Sequence, residues 1–331
     1  MQAIVCQELG GPAALRLSEV PDPCPGAGQV RLRVRACGIN FADGLITRGQ
    51  YQVQPQLPFS PGFEVAGEVL ELGAGVDEFA QGDRVIAITP HGGYAEQVVV
   101  AATRCLRMPA AMPWVDGAAF PVVFGTSHVA LAHRARLRKG ELLVVHGAGG
   151  GVGLTAVAIG KQLGATVIAT ASSRAKLEAA RAQGADHLID ASDDLRLRIR
   201  ELSNGRGADV VYDPVGGDLF NASLRSMAFE GRILVIGFAG GGVPQIPANH
   251  LLVKNIDVIG VNWPAYAELN PRALTASFRI LLDWYLDGLL KPHVSASYPL
   301  VHAIEALQQV VARTSTGKVI LSIDTGGDSE H

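Results

Sequence analysis

The chain has 331 residues, is 48% hydrophobic and 18% charged, and carries a net charge of −3. That length accommodates about two domains with sizeable cores, and the balance is that of a globular protein. Near-neutral charge with no basic run of five residues excludes an electrostatic footprint, so neither nucleic acid nor membrane is an expected partner.

In chain order, the start Met1 to Glu8 has no basic n-region and no long apolar stretch, and no window reaches 18 apolar residues, so the expected address is cytoplasmic. Four cysteines, Cys6, Cys24, Cys37 and Cys105, form no C-x-x-C pair, which argues for reduced thiols and against a structural zinc cluster. Residues 1–122 are rich in Gly and Pro. Period-2 runs at Val30–Val34 and Ala66–Leu72, turn clusters at Pro21-Asp-Pro and Pro25-Gly-Ala-Gly, and further strands at 84–88 and 94–100 predict a partly open β-barrel.

From Glu141 the pattern becomes α/β. Strands are expected near 142–146, 166–171, 187–190, 209–213, 232–237 and 256–261, separated by helical stretches, and six such strands make a doubly wound parallel sheet of the Rossmann kind. Ser192-Asp-Asp194 reads as a helix start and Asn204-Gly205 as its stop. Past Pro264, Arg272–Leu290 is amphipathic and helix-length, and Lys318–Ser322 is a final strand. This tail is assigned back to the first domain, giving residues 1–122 and 263–331 as a catalytic barrel and 123–262 as a dinucleotide-binding domain.

The densest signal lies between Glu141 and Asp190. The run Leu142–His146 meets Gly147-Ala148-Gly149-Gly150-Gly151-Val152-Gly153, then a helix-length segment to Leu163, a stop at Gly164 and a second β run at Thr166–Ala171. Ala148-x-Gly150-x-x-Gly153 fits the dinucleotide fingerprint with alanine first: Gly150 admits a phosphate and Gly153 lets the helix pack on the strand. Backbone N–H groups of Ala148, Gly150, Gly151, Val152 and Gly153 are therefore candidates for a pyrophosphate. An NAD site wants an acid about 20 residues on, to hold the ribose 2′-hydroxyl. That corner holds Ala171, Ser172, Ser173 and Arg174, with Lys176 beyond, while Glu178 and Asp186 come too late. Hydroxyls and cations suit a 2′-phosphate, so NADPH is the expected cofactor. The alternative is that Ser172 only caps a helix from Ser173 to Gln183, with Arg174 and Lys176 solvated.

Other motifs are Cys37-Gly-Ile-Asn-Phe-Ala-Asp43, Leu57-Pro-Phe-Ser-Pro-Gly-Phe-Glu64, Gly82-Asp-Arg-Val85, Gly92-Gly-Tyr-Ala-Glu96, Gln183-Gly-Ala-Asp186, Val211-Tyr-Asp213 and Thr316-Gly-Lys-Val319. In this order, with the glycine turn, they resemble the medium-chain dehydrogenase/reductase superfamily over nearly the whole chain. Within it, the likeness is to the zinc-independent quinone oxidoreductase branch that includes zeta-crystallin. The resemblance implies a GroES-like β-barrel domain, a Rossmann domain, a cofactor in the cleft and usually a homodimer. Zinc enzymes of the superfamily carry a cysteine ligand where this chain has Asn40 and a histidine where it has Phe63; both metal sites are expected to be absent.

Hydride transfer to a quinone or α,β-unsaturated carbonyl needs neutral donors aimed at the oxygen where negative charge develops. Asn40 resembles the family's active-site asparagine, beside substrate and cofactor. Tyr51 matches a tyrosine shared by quinone reductases and mitochondrial enoyl thioester reductases, and a phenol stays protonated at neutral pH. Against these roles, Asn40 reads as a turn former and Tyr51 as a packed loop aromatic. Leu45 stands where some quinone reductases carry a second tyrosine. Thr126 resembles a threonine at the nicotinamide amide, or else caps a helix. The loop Gly237, Phe238, Ala239 follows the fifth strand at the carboxyl edge, and Lys318 resembles a lysine that reaches the cofactor cleft, or else is an ordinary strand-end charge. No histidine is expected to be catalytic, His146 reading as packed. The flat strand 256–261 is the expected seam of the homodimer.

These readings predict an NADPH-dependent, zinc-free reductase of quinones or activated alkenes. Its rivals are an enone or enoyl thioester (2-enoyl-CoA) reductase and an NADPH-binding structural or regulatory protein without turnover.

Overall fold

The strand β1 (Gln2–Cys6) pairs antiparallel with β2 (Leu15–Glu19), and both precede the long strand β3 (Gln29–Ile39). In β3 apolar residues alternate with arginines, so Val30, Leu32 and Val34 turn inward and are fully buried. The computed structural model describes residues 1–323. It divides into one unit made of residues 1–122 with the chain from 292 onward, and a second of residues 123–291.

The first unit continues through β4 (Glu64–Leu72), β5 (Arg84–Ile88), β6 (Gln97–Ala101) and β7 (Cys105–Arg107). In the second unit lie β8 (Leu142–Val145), β9 (Thr166–Ala171), β10 (His187–Asp190), β11 (Ala208–Asp213), β12 (Met227–Val235) and β13 (Asp257–Gly260). The chain then returns to the first unit with β14 (Val294–Pro299) and β15 (Lys318–Ser322). There the order is β14-β15-β3-β4-β5-β7, with β6 also on β3, and every pair but β14–β15 is antiparallel. Its core gathers Ile4, Leu15, Leu32, Val65, Tyr94, Leu307 and Leu321. This is the GroES-like barrel that the sequence predicts.

The second unit is a parallel sheet of order β10-β9-β8-β11-β12-β13, with reversal of strand order between β8 and β11. That is the doubly wound arrangement whose ligands bind at the carboxyl edge, at the switch point. Asp194 caps the helix Leu195–Leu202 by accepting from the Leu197 N–H, and Asn204 and Gly205 end it with positive φ.

The tail departs from expectation. The helix Pro271–Leu286 groups with the second unit, not the first. Its buried face, Leu274, Phe278 and Leu281, packs there: Ser277 Oγ lies 2.8 Å from His128 Nδ1, Phe278 meets Trp263 edge-on at 6.3 Å, and Trp284 meets His128 at 5.6 Å. Residues 324–331, assigned with that tail, lie outside the described residues. Among the described residues no helix is long and apolar enough to cross a membrane.

Candidate active site

β8 is buried throughout and delivers the chain into the glycine turn, where Gly147 has φ +56. The Ala148 N–H donates to Thr170 O at 2.9 Å and the Gly150 N–H to Gly147 O at 2.9 Å. Those two donors, expected to face a phosphate, are spent inside the turn. Gly150 is the cap of the helix Gly151–Gln162, so the N–H groups of Gly151, Val152 and Gly153 form its first turn and have no intrahelical acceptor. With the positive end of the helix dipole they make the anion-binding part of the turn. A Cβ on Gly153 would collide with Gly147 O and sit 2.7 Å from Ala148 Cα, whereas one on Gly150 would meet nothing nearer than Gly147 O at 3.4 Å. Gly153 serves packing, and Gly150 keeps an open face.

β9 ends at Ala171, and the next helix is Arg174–Ala182. Its cap is Ser173 rather than Ser172: the Ser173 hydroxyl accepts from the Lys176 N–H at 3.4 Å. Ser172 and Arg174 are exposed at this corner, and the stem of Lys176 lies across the glycine turn, where a Cβ on Gly149 would be 2.6 Å from Lys176 Cγ. No carboxylate occurs between Ala171 and Leu177.

At the neighbouring strand ends, Asp213 Oδ1 accepts from the N–H groups of Val215 and Gly216, bracing the turn after β11. The loop after β12 hangs on it: the Gly237 N–H donates to Asp213 O, Ala239 to Pro214 O and Gly240 to Val215 O, leaving Phe238 exposed. Thr126 is buried inside the helix Pro121–His128, not at its start, so it caps nothing. His146 is fully buried, with Nδ1 2.9 Å from Thr170 Oγ1 and Nε2 2.6 Å from Ser223 Oγ. Ser223 donates its own proton to Leu219 O, so Nε2 carries the hydrogen and Nδ1 accepts. Burial holds its pKa below the usual histidine range.

In the first unit, Asn40 starts the helix Phe41–Ile46 in a capping box with Asp43. Its side chain is not free to donate, as the sequence reading had it: Nδ2 gives its hydrogens to Glu64 Oε1 at 2.8 Å and Gly38 O at 3.2 Å, while Oδ1 accepts from Lys318 Nζ at 2.9 Å. Lys318 turns inward and is 4% exposed. Its ammonium donates to Ile39 O at 2.7 Å, Asn40 Oδ1 and Glu64 Oε1 at 2.6 Å, three hydrogens for three oxygens. Glu64 completes its own set by accepting the Val122 N–H at Oε2. Asp43 is equally buried, accepting from the Asn40 N–H, the Gly62 N–H and the Tyr94 hydroxyl; burial pushes its carboxyl up to about 7.

Tyr51 is half-buried and stacks at a tilt on Phe63, ring centroids 5.3 Å apart. Its hydroxyl has no hydrogen-bond partner among the described residues. Burial, and then the nearby Asp43 carboxyl, raise its pKa, so the phenol keeps its proton. Sequence reasoning gave Glu64, Asp43 and Tyr94 no role. The available signal was an acid opening an apolar strand in Glu64–Leu72 and a lysine opening another in Lys318–Ser322.

A capped helix after the first strand of a doubly wound sheet, joined in one chain to a GroES-like barrel, defines a medium-chain dehydrogenase/reductase. The model of the alcohol dehydrogenase GroES-like domain matches residues 26–110, and that of the zinc-binding dehydrogenase residues 151–279. Quinone oxidoreductase-like protein 2 of Rattus norvegicus is 41% identical over 324 residues, covering 97% of this chain and 92% of that protein. Quinone oxidoreductase of the same species is 32% identical, with 97% of each chain covered. Among solved structures, Escherichia coli quinone oxidoreductase complexed with NADPH superposes with a TM-score of 0.91 at 30% identity, covering 97% of this chain and 100% of that one. Pseudomonas syringae quinone oxidoreductase gives 0.90 at 33%, covering 97% and 99%. The chain belongs to the quinone oxidoreductase family of that superfamily.

Among the described residues, the zinc named in one of these models has no fitting donor set. No group of three His, Cys, Asp or Glu side chains among the described residues could hold a metal, Phe63 offers no donor atom, and the oxygens of Asn40 and Glu64 already surround an ammonium.

Proposed function

We propose that this chain is an NADPH-dependent, metal-independent reductase that delivers hydride to a quinone or an activated alkene. The observation that carries the reading is the second unit's corner: free N–H groups at Gly151, Val152 and Gly153, with Ser172, Arg174 and Lys176 gathered nearby and no acid among them. The first set suits a pyrophosphate and the second a 2′-phosphate, which an acid would repel. Quinone oxidoreductase names among the relatives, and NADPH in the Escherichia coli structure, support the same cofactor and acceptor class.

Bound NADPH would supply the hydride. This chain's own part is to hold the two phosphate groups, place Thr126 and the Gly237–Ala239 loop along the carboxyl edge, and offer the Tyr51 hydroxyl to the oxygen where negative charge grows. Asn40 shapes that site rather than donating in it. The first unit is thus the catalytic one and the second the cofactor-binding one. Leu45 and the Tyr51–Phe63 stack give an apolar lining, which favours enones and enoyl thioesters as a second substrate class. The outer strand β13 is half exposed, and Leu252 and Val253 just before it are 78% and 76% exposed, so we assign the homodimer seam to this edge.

The test is steady-state turnover of a panel of quinones, enones and enoyl thioesters with NADPH and NADH, with and without chelator. NADPH-dependent reduction indifferent to chelator supports the reading. Tight NADPH binding without turnover of any acceptor would instead point to a structural or regulatory protein.

A further inference from the structure

Lys318 owes its direction to the chain around it. Gly317 has φ +67, and a Cβ there would collide with His293 O, so only glycine makes the bend that starts β15 with Lys318 facing the interior. β15 then pairs with the end of β3, Val319 opposite Ile39 and Ile320 opposite Gly38, which brings the ammonium to the segment ending in Asn40. Gly38 is needed for the same reason, since a Cβ there would meet Ala118 O and lie 2.8 Å from Glu64 Cδ.

The result is a socket of three oxygens from three places in the chain, the Ile39 carbonyl, the Asn40 amide and the Glu64 carboxylate, closed on one tethered cation. Because an ammonium only donates, it fixes which end of the Asn40 amide faces it. It also balances the fully buried Glu64 charge. Two routes lead from this socket to Tyr51: Asn40 caps the helix whose end feeds the loop Arg48–Tyr51, and Glu64 follows Phe63, on which the Tyr51 ring rests.

We propose that Lys318 is a resident cation, a positioning residue that organises the first unit's candidate catalytic residues in place of a bound metal ion. The functional part of this inference rests on the reductase reading; the socket itself does not. Its role is to set the pose of Tyr51 through Asn40 and Glu64, without touching substrate or cofactor.

The test is Lys318→Ala, which deletes Cγ, Cδ, Cε and Nζ, with n-propylammonium as the replacement and n-propanol as a neutral control. The expected result is a lower melting temperature, turnover reduced at least about tenfold and NADPH affinity within about twofold of wild type. n-Propylammonium should raise both melting temperature and turnover, and n-propanol neither. A folded variant with wild-type turnover, or one that responds equally to both additives or to neither, overturns the proposal. If Lys318→Ala does not fold, the double variant Lys318→Met with Glu64→Gln removes both buried charges together. Folding with depressed turnover supports the proposal, and wild-type turnover overturns it. Should the wild type reduce no acceptor, the reductase reading has failed, while the melting response to n-propylammonium still decides whether the socket binds a cation.

Discussion

Alanine at Gly150 and at Gly153 separates phosphate approach from helix packing within one turn. At Gly153 the new Cβ would sit 2.7 Å from Ala148 Cα, where carbon atoms ordinarily keep about 3.5 to 4.0 Å, so the helix start must move by about 1 Å. Overpacking of that size costs about 1 to 3 kcal/mol of stability, and it displaces the N–H groups of Gly151 and Val152 as well. At Gly150 the nearest atom is 3.4 Å away and φ is −84, so alanine fits the free protein at a cost of no more than about 1 kcal/mol. Yet the methyl group would stand where a pyrophosphate must come close. The expected outcome is a Gly153→Ala variant with lowered melting temperature and weaker NADPH binding. Gly150→Ala should keep nearly wild-type melting but lose NADPH affinity by about tenfold or more, about 1.4 kcal/mol. Thermal denaturation and fluorescence titration with NADPH read both quantities. Undiminished NADPH affinity in a folded Gly150→Ala variant would refute the placement of the pyrophosphate on this turn.

Tyr51→Phe should lower turnover by about a hundredfold with NADPH affinity unchanged, because it removes a donor needed only as charge develops; equal turnover would remove Tyr51 from the chemistry. Asp43, with its carboxyl at about 7 against an ordinary 3.8, holds a proton in the folded state that the unfolded chain has lost between those values. Its contribution therefore declines as pH rises from about 4 to about 7 and is level above, by up to about 4 kcal/mol. Asp43→Asn should gain on the wild type in melting temperature between about pH 4 and about pH 7, and parallel pH curves would contradict the assignment. Val258→Lys, on the outer strand, should convert a dimer to a monomer in light scattering; a wild type that is already monomeric removes the seam.

How far the sequence carried depends on the range of the signal. The six parallel strands, the glycine turn and the stop at Gly164 were legible because each is written within a few residues: a β-branched run, a backbone needing φ near +82, a helix-length apolar segment. The helix at Pro271–Leu286 was legible as a helix but not as to partner, since an apolar stripe of Leu274, Phe278 and Leu281 does not name the surface it covers. The inward turn of Lys318 was hidden for the same reason. It follows from strand register across residues far apart in sequence, as does the loss of one of Asn40's free hydrogens to Glu64, while the other goes to the nearby Gly38 carbonyl. The shift of the cap from Ser172 to Ser173 is a one-residue matter of backbone geometry that either serine could satisfy locally.

The most direct test of the account is the ratio of kcat/KM for NADPH to that for NADH, measured with one quinone and one enone on the wild type and on Arg174→Ala with Lys176→Ala. The account predicts a preference for NADPH of about a hundredfold or more that collapses in the double variant while NADH turnover holds. Equal use of the two cofactors by the wild type, or a preference untouched by losing both cations, would contradict it.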